Sequence, residues 1–409
     1  MESLKVAIVS DWFYPKIGGI EAHMDELARN LLNFGHEPVI ITHDYRYLKP
    51  YRDEFPYKVV RFPSPIYIKK AHISLSPNQL WKINKFYKRE AFDVTHVHSL
   101  YSPLGIAVAN LSRGIRNVPV IATNHSFYGK PRMDWALRRT LKKTLWRVDS
   151  FIAVSRAIEK DTQELLGESL ANRPIFLVPN GVDTSFWRPP EPEERSRVRK
   201  SLGLDENDFV LLYVGRMTRR KRAHVLPLIV GEILKKLPEN IAKRVKLLMV
   251  GEGPMKPVLF QRLSKVGIGD RTLLFKFMSR PKLRRIYWAA DVALVPSELE
   301  AFSIVSLEAL STGVPVIGMN DSGLSDLIIS GKNGFLVGSD EEMVTVLVEL
   351  LLGDVPLKKL SKSARDRVES FFSWKVVINR ILGIYRRTIE SATEDKRYTL
   401  YKAWRRFKG

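Results

Sequence analysis

Short apolar runs alternate with helix-spaced segments from one end of the chain to the other. Residues 6–10, 38–42, 59–62, 94–98, 118–123, 150–154 and 175–179 form a first set of runs whose lengths predict strands. Between them, residues 20–34, 77–90, 104–112, 135–146 and 157–166 carry apolar positions at helical spacing. The alternation then begins again, with predicted strands at 209–214, 245–250, 273–277, 292–296, 314–318 and 335–337. The matching helices are 223–236, 257–266, 283–290, 304–311 and 341–352. Near-continuous apolar strands separated by helices predict an α/β chain with parallel sheets covered on both faces. Two such series predict two Rossmann-like domains. The turn Asn180-Gly181-Val182-Asp183 and the stiff connector Pro189-Pro190-Glu191-Pro192 mark the join. The expected division is 1–183 and 193–372, followed by a C-terminal helix and tail over 373–409.

Length supports that division, because 409 residues exceed what one core usually organises. The chain has no cysteine, which removes disulfides, thiol nucleophiles and thiolate zinc sites from consideration. No run approaches the roughly 18 apolar residues of a membrane span, and the apolar start turns polar at Ser10. A cytoplasmic protein, not integral to a membrane, is the expectation. The formal net charge of +22 calls for an anionic partner: a membrane surface, nucleic acid or a phosphorylated substrate.

Candidate chemistry collects where predicted strands end. Glu300 and Glu308 lie eight residues apart across a strand-to-helix turn, with the helix starting near Ser303 and ending at Gly313. A helix N-terminus near Ser303 suits a phosphate, and the two carboxylates suit polyol hydroxyls. The spacing also fits an ordinary first-turn acid followed by a surface glutamate. Gly18-Gly19 follows the first strand and lets the backbone approach a ligand, but it is not a GxGxxG dinucleotide fingerprint. Arg216 and Lys221 follow the first strand of the second series, either as cations for a diphosphate or as part of a solvated basic run. His125 follows the strand at 118–123, as a ligand-facing or a structural imidazole.

Taken together, these motifs resemble retaining glycosyltransferases of family 4, which have the two-Rossmann GT-B architecture. The resemblance runs from residue 1 to about residue 389. It is carried in order by Pro15-Lys16-Ile17-Gly18-Gly19-Ile20-Glu21, Pro179-Asn180-Gly181-Val182-Asp183, Gly215-Arg216 with Lys221, Gly251-Glu252-Gly253-Pro254, and Glu300 with Glu308. A narrower similarity is to the catalytic subunits that place N-acetylglucosamine on phosphatidylinositol. It rests on residues 10–23 and on Gly35-His36-Glu37-Pro38 onward.

The resemblance implies an acceptor-binding first domain, a nucleotide-sugar-binding second domain facing it across a cleft, and a C-terminal helix that crosses back to the first. It implies a catalytic set of His125, Glu300, Arg216 and Lys221. It implies donor contacts from Gly19, Arg216, Lys221, Phe277, Glu300, Phe302, Ser303, Ile304 and Glu308. Glu300 would meet the transferred sugar and Glu308 the ribose. Arg222 stands where relatives usually carry glycine, and Lys276 likewise. No cofactor is expected beyond the donor substrate. No Asp-x-Asp marks a metal site, so no metal is expected either. UDP-N-acetylglucosamine is the favoured donor, with GDP-mannose and UDP-glucose as alternatives.

The acceptor reading draws on charge. Residues 130–147 place Arg138, Arg139, Lys142, Lys143 and Arg147 off a stripe of Met133, Leu137, Leu141 and Leu145, with Trp135 and Trp146 at its margins. The tail mixes Lys396, Arg397, Lys402, Arg405, Arg406 and Lys408 with aromatic residues. Both suit an anionic lipid surface. The expectation is a peripheral enzyme on the cytoplasmic face of a membrane, acting on a lipid headgroup or other glycoconjugate. A nucleic-acid-binding protein is the alternative prompted by charge, but no binding module is recognisable. A non-catalytic transferase-like partner protein is a further alternative.

Overall fold

A computed structural model describes residues 2–16, 18–44, 54–63, 66–68, 73–75, 79–128, 135–170, 172–320 and 323–394. The chain divides into two compact units, residues 1–181 with 374–409, and residues 182–373.

The first unit is built on a seven-stranded sheet. Its order is Lys58–Phe62, Glu37–His43, Lys5–Val9, Val94–His98, Val120–Asn124, Ser150–Ala153 and Ile175–Leu177. Every neighbouring pair is parallel. A small antiparallel hairpin, Ile66–Ile68 with Ile73–Leu75, accompanies it. One face packs Val97, Leu104, Val108, Leu141, Leu145 and Leu165. The other packs Val6, Ile8, Met24, Leu27 and Leu31 against the C-terminal helix Trp374–Glu394. That helix buries Trp374, Val377, Ile378, Ile381, Leu382 and Tyr385 in the first unit. At about 1.5–3 kcal/mol per buried large apolar side chain, it is a structural member of that core. Gly181 is required here, because a Cβ would lie 2.6 Å from the Trp374 ring.

The second unit has six parallel strands. Their order is Thr272–Phe275, Val245–Val250, Phe209–Val214, Val292–Val295, Val316–Met319 and Gly334–Val337. The helices Leu226–Lys236, Lys256–Val266 and Asp340–Leu352 supply Ile229, Ile233, Leu259, Met343 and Leu347 to its core. The connector at 189–192 leads directly into a helix that the proline run concealed. Pro192 takes the first turn of Pro192–Ser201, and Glu194 accepts from the Glu191 amide at 2.9 Å in a capping box. Leu357–Phe371 is also helical, on a narrow buried stripe of Leu360, Ala364 and Val368.

Both sheets reverse their strand order beside their first strand. In the first unit the reversal lies between Lys5–Val9 and Val94–His98; in the second, between Phe209–Val214 and Val292–Val295. Open α/β sheets bind ligands beyond the carboxyl ends of strands at such points. The loops that follow these four strands are therefore the places to look for chemistry.

Candidate active site

In the second unit, the loop after Phe209–Val214 and the loop after Val292–Val295 are laced together. Arg220 donates to the Leu299 carbonyl at 2.9 Å, and the Glu298 amide donates to the Arg220 carbonyl at 3.1 Å. Between these ties, the Lys221 ammonium forms a short ion pair with Glu300. Glu300 is buried at 5% exposure. Burial works to raise its carboxyl, but the charge and hydrogen bond of Lys221 outweigh it and hold the group below the usual carboxylate range. Ser297 adds a hydrogen bond in the same direction.

The second loop is strained on both sides of that carboxylate. Leu299 has φ 55° and Ser303 has φ 75°, left-handed values that cost a non-glycine residue about 1–2 kcal/mol each. Ser303 nevertheless caps the helix Ile304–Ser311, its hydroxyl accepting from the Ser306 amide at 3.3 Å. Phe302 is buried and packs near Phe372. The other first-turn amides point out of the helix end, where an anion is favoured. Glu308, farther along the helix, accepts from the buried Tyr287 hydroxyl at 3.1 Å, and that hydroxyl also reaches the Val305 carbonyl at 3.2 Å. Burial, then the nearby Glu308 charge, pushes the Tyr287 phenol well above its ordinary value, so it stays a donor.

Arg222 accounts for the departure from glycine at its position. It keeps the left-handed conformation, with φ 51°. Its guanidinium holds Asp340 at 2.7 Å and the Pro296 carbonyl at 3.2 Å, which anchors the first loop to the second. The preceding turn is fixed by backbone contact. A Cβ at Gly251 would sit 1.9 Å from the Gly215 carbonyl, and the Met217 amide donates to the Glu252 carbonyl at 2.8 Å. Gly251-Glu252-Gly253 therefore holds the backbone from which the exposed Arg216 side chain projects. Phe277, just past the strand Thr272–Phe275, is 51% exposed.

In the first unit, four imidazoles gather on one face of the sheet. His96 and His98 share a face because strand side chains alternate. His23 comes from the helix Gly19–Asn33, and His125 from the loop after Val120–Asn124. Asn124 fixes that loop by accepting from the Ser126 amide at 3.0 Å. His98 Nδ1 and His125 Nε2 share a hydrogen bond at 3.0 Å. His96 is fully engaged, with Tyr385 at 2.7 Å and Thr123 at 2.6 Å. Burial drives all four toward the neutral form, His23 to about 4 and His96 to about 3, with His98 and His125 also well below their ordinary value. Nearby, Gly18 is extended, and a Cβ on it would lie 2.5 Å from the Glu21 carboxylate; Gly19 opens the helix.

Residues 17–186 match Glycosyltransferase Family 4, and residues 194–367 match Glycosyl transferases group 1. The chain belongs to glycosyltransferase family 4. This family 4 chain is 24% identical over 400 residues to the phosphatidylinositol N-acetylglucosaminyltransferase GPI3 subunit of Saccharomyces cerevisiae, covering 95% of this chain and 84% of that one. It is 26% identical over 410 residues to alpha-maltose-1-phosphate synthase of Mycolicibacterium smegmatis, covering 94% and 99%. Among solved structures, Anabaena Alr3699/HepE in complex with UDP superposes with a TM-score of 0.77 at 18% identity, covering 93% of this chain and 99% of that one. The fold is that of GT-B glycosyltransferases, and the activity class is glycosyl transfer.

Within this family 4 enzyme, Lys221, Glu300, Phe302, Ser303 and Ile304 occupy the two laced loops and the helix start. Glu308 stands apart on its tyrosine partner. His125 and Gly19 belong to the first unit. Sequence reasoning missed His23, His96, His98 and Tyr287. The alternation Thr95-His96-Val97-His98 was a usable signal for two of them, because it puts both rings on one strand face. Among the described residues, His23, His98 and His125 are the group able to offer three metal-ligand nitrogens, all within 4.8 Å of one another.

Proposed function

We propose that this glycosyltransferase moves a sugar from a nucleotide-sugar donor, UDP-N-acetylglucosamine being favoured, to a lipid headgroup or other surface glycoconjugate with retention of configuration. The observation that carries the reading is the Lys221–Glu300 pair, held by strained loops against a helix N-terminus, on a loop that also bears Arg216. It offers a carboxylate for sugar hydroxyls and fixed positive charge for a departing diphosphate. In the step, the bond between the anomeric carbon and the diphosphate oxygen breaks. The acceptor oxygen bonds to the same face of that carbon, and its proton passes to the leaving phosphate. Lys221, Arg216 and the helix end stabilise the developing charge, Glu308 takes the ribose, Gly19 and His125 serve from the first unit, and no metal is needed.

The acceptor class draws on the name of the Saccharomyces relative and on the surface of the first unit. Leu80, Trp81, Ile115 and Trp146 are exposed large apolar residues. Their segments are tied together by Arg116 to Asn84 at 2.9 Å and Arg113 to Asp149 at 2.9 Å. Lys85 and Arg147 stand over the Trp81 and Trp146 rings. In the helix Trp135–Leu145, Leu141 and Leu145 are buried, which leaves its cations Arg139 and Lys143 outward. Residues 129–134 and the tail 395–409 lie outside the described residues. Exposed tryptophans among cations suit a peripheral position on the cytoplasmic face of an anionic membrane, and no helix among the described residues is long and apolar enough to cross one.

A second reading, with UDP-glucose or GDP-mannose as donor, stays open because a comparably similar relative, alpha-maltose-1-phosphate synthase, is not named for transfer of N-acetylglucosamine. The test is a thermal-shift screen of UDP, GDP, ADP and their sugars in EDTA, followed by transfer to vesicles containing phosphatidylinositol. A ligand at 100 times its Kd stabilises by about 2.7 kcal/mol. Selective stabilisation by UDP-N-acetylglucosamine, with labelled lipid product, is expected. Stabilisation by another sugar nucleotide alone replaces the donor, and a requirement for added Mg²⁺ contradicts the metal-free step.

A further inference from the structure

Four imidazoles pack together in the first unit, but they are not equivalent. His96 spends both ring nitrogens on Tyr385 and Thr123. His23 Nδ1 is buried and has no hydrogen-bond partner. A buried polar atom left in that state costs about 1–3 kcal/mol. Rings of His23 and His125 meet edge to face at 5.0 Å, and those of His98 and His125 stack at 5.3 Å. Trp374 closes the side of His23 at 5.4 Å.

We propose that His23, His98 and His125 form a binding site for a single divalent ion of the zinc class. Three neutral imidazoles without a carboxylate favour zinc, cobalt, nickel or copper over magnesium or calcium. Metal–nitrogen bonds of about 2.0–2.1 Å place donor nitrogens about 3.3 Å apart around one tetrahedral ion. The observed group, within 4.8 Å, closes on an ion with ring shifts below about 1 Å. His98 Nδ1 and His125 Nε2 already face each other at 3.0 Å, so the ion takes the place of their shared proton. That proton need not leave, because His98 can carry its one N–H on Nε2, which has no partner with or without the ion, and His125 on Nδ1. Three protein ligands leave a fourth position for water. His96 stays outside the set, held by its two hydroxyl partners.

One consequence rests on the functional reading above. If His125 serves in transfer, the ion engages it and zinc inhibits, while the uninhibited enzyme needs no metal. The test uses the full chain, free of any tag and stripped with chelator. Cobalt is titrated and followed by its visible absorption, with zinc competition afterwards. The expected result is one equivalent bound, displaced by zinc, with affinity lowered more than tenfold in His98→Gln and His125→Ala. His125 is the least buried of the three, so His125→Ala serves as the variant least prone to misfold. In the wild type zinc raises the melting temperature, and in His125→Ala it does not. Absence of a saturable cobalt band, or a band and a zinc-induced melting shift that survive both substitutions, overturns the site. A cobalt band in a protein with no transferase activity keeps the metal site and defeats the functional reading. Active transferase with no band does the reverse.

Discussion

Replacing Lys221 with methionine isolates the pair at the centre of the second unit. The substitution keeps the side-chain length and removes the charge, leaving Glu300 buried without its main partner. Breaking a buried ion pair by removing one partner costs about 3–5 kcal/mol. Lys221 retains 23% side-chain exposure against 6% for Glu300, so solvent moderates the loss to roughly 2–3 kcal/mol. For a unit of this size that lowers the melting temperature by roughly 4–12 °C. The pH dependence carries a sign as well. In the wild type the Glu300 carboxyl lies below its usual range. Its contribution is therefore complete above an unfolded value of about 4.3 and is lost as pH falls through the lower folded value. In Lys221→Met, burial dominates and raises the carboxyl, so the variant gains stability as pH falls from neutrality toward 5. Calorimetry across that range reads both effects, and the double variant Lys221→Met/Glu300→Gln recovers part of the loss. A shift under 1 °C, a wild-type-like pH slope in the variant, or strictly additive losses in the double variant would mean that Lys221 does not compensate the buried Glu300 charge.

Arg222→Ala keeps the left-handed backbone and loses the ties to Asp340 and Pro296, so it destabilises by about 1–3 kcal/mol, whereas Arg222→Gly is about 1 kcal/mol milder; equal melting temperatures of the two speak against strain at φ 51°. Tyr287→Phe removes the donor to Glu308, and a loss of about 1 kcal/mol in nucleotide affinity by calorimetry, with kcat nearly unchanged, is expected; unchanged affinity separates Glu308 from the ribose. Gly251→Ala forces a Cβ against the Gly215 carbonyl and displaces the Arg216 loop, so donor binding weakens at least tenfold with the far-UV spectrum retained; intact binding shows that this turn does not position the loop. Trp81→Ala/Trp146→Ala weakens flotation with anionic vesicles while leaving soluble donor binding intact; undiminished flotation moves the membrane surface elsewhere.

The two parallel sheets were legible because fully buried strands write themselves as apolar runs, and every predicted run overlaps a strand. The helix Pro192–Ser201 was obscured by its prolines, although Glu191 and Glu194 stand at capping-box spacing. Leu357–Phe371 is hard to read from sequence because its buried stripe is only Leu360, Ala364 and Val368 among charged neighbours. Glu300 and Lys221 could be singled out from their positions after strands, but their pairing joins residues 79 apart and exists only in the folded loops. Spacing could suggest a ribose ligand in Glu308 but not its tyrosine partner, since Tyr287 comes from another helix. The histidine cluster needed three separate elements to converge, of which only the His96–His98 alternation is local.

Following transfer itself reads donor, acceptor and stereochemistry in one measurement. Purified chain, UDP-N-acetylglucosamine and phosphatidylinositol vesicles are incubated in EDTA, and the anomeric configuration of the product is read by NMR. An α-linked product from the α-configured donor is expected, with the rate lowered at least a hundredfold in Glu300→Gln. An inverted product, or a Glu300→Gln enzyme as fast as the wild type, contradicts the proposed function.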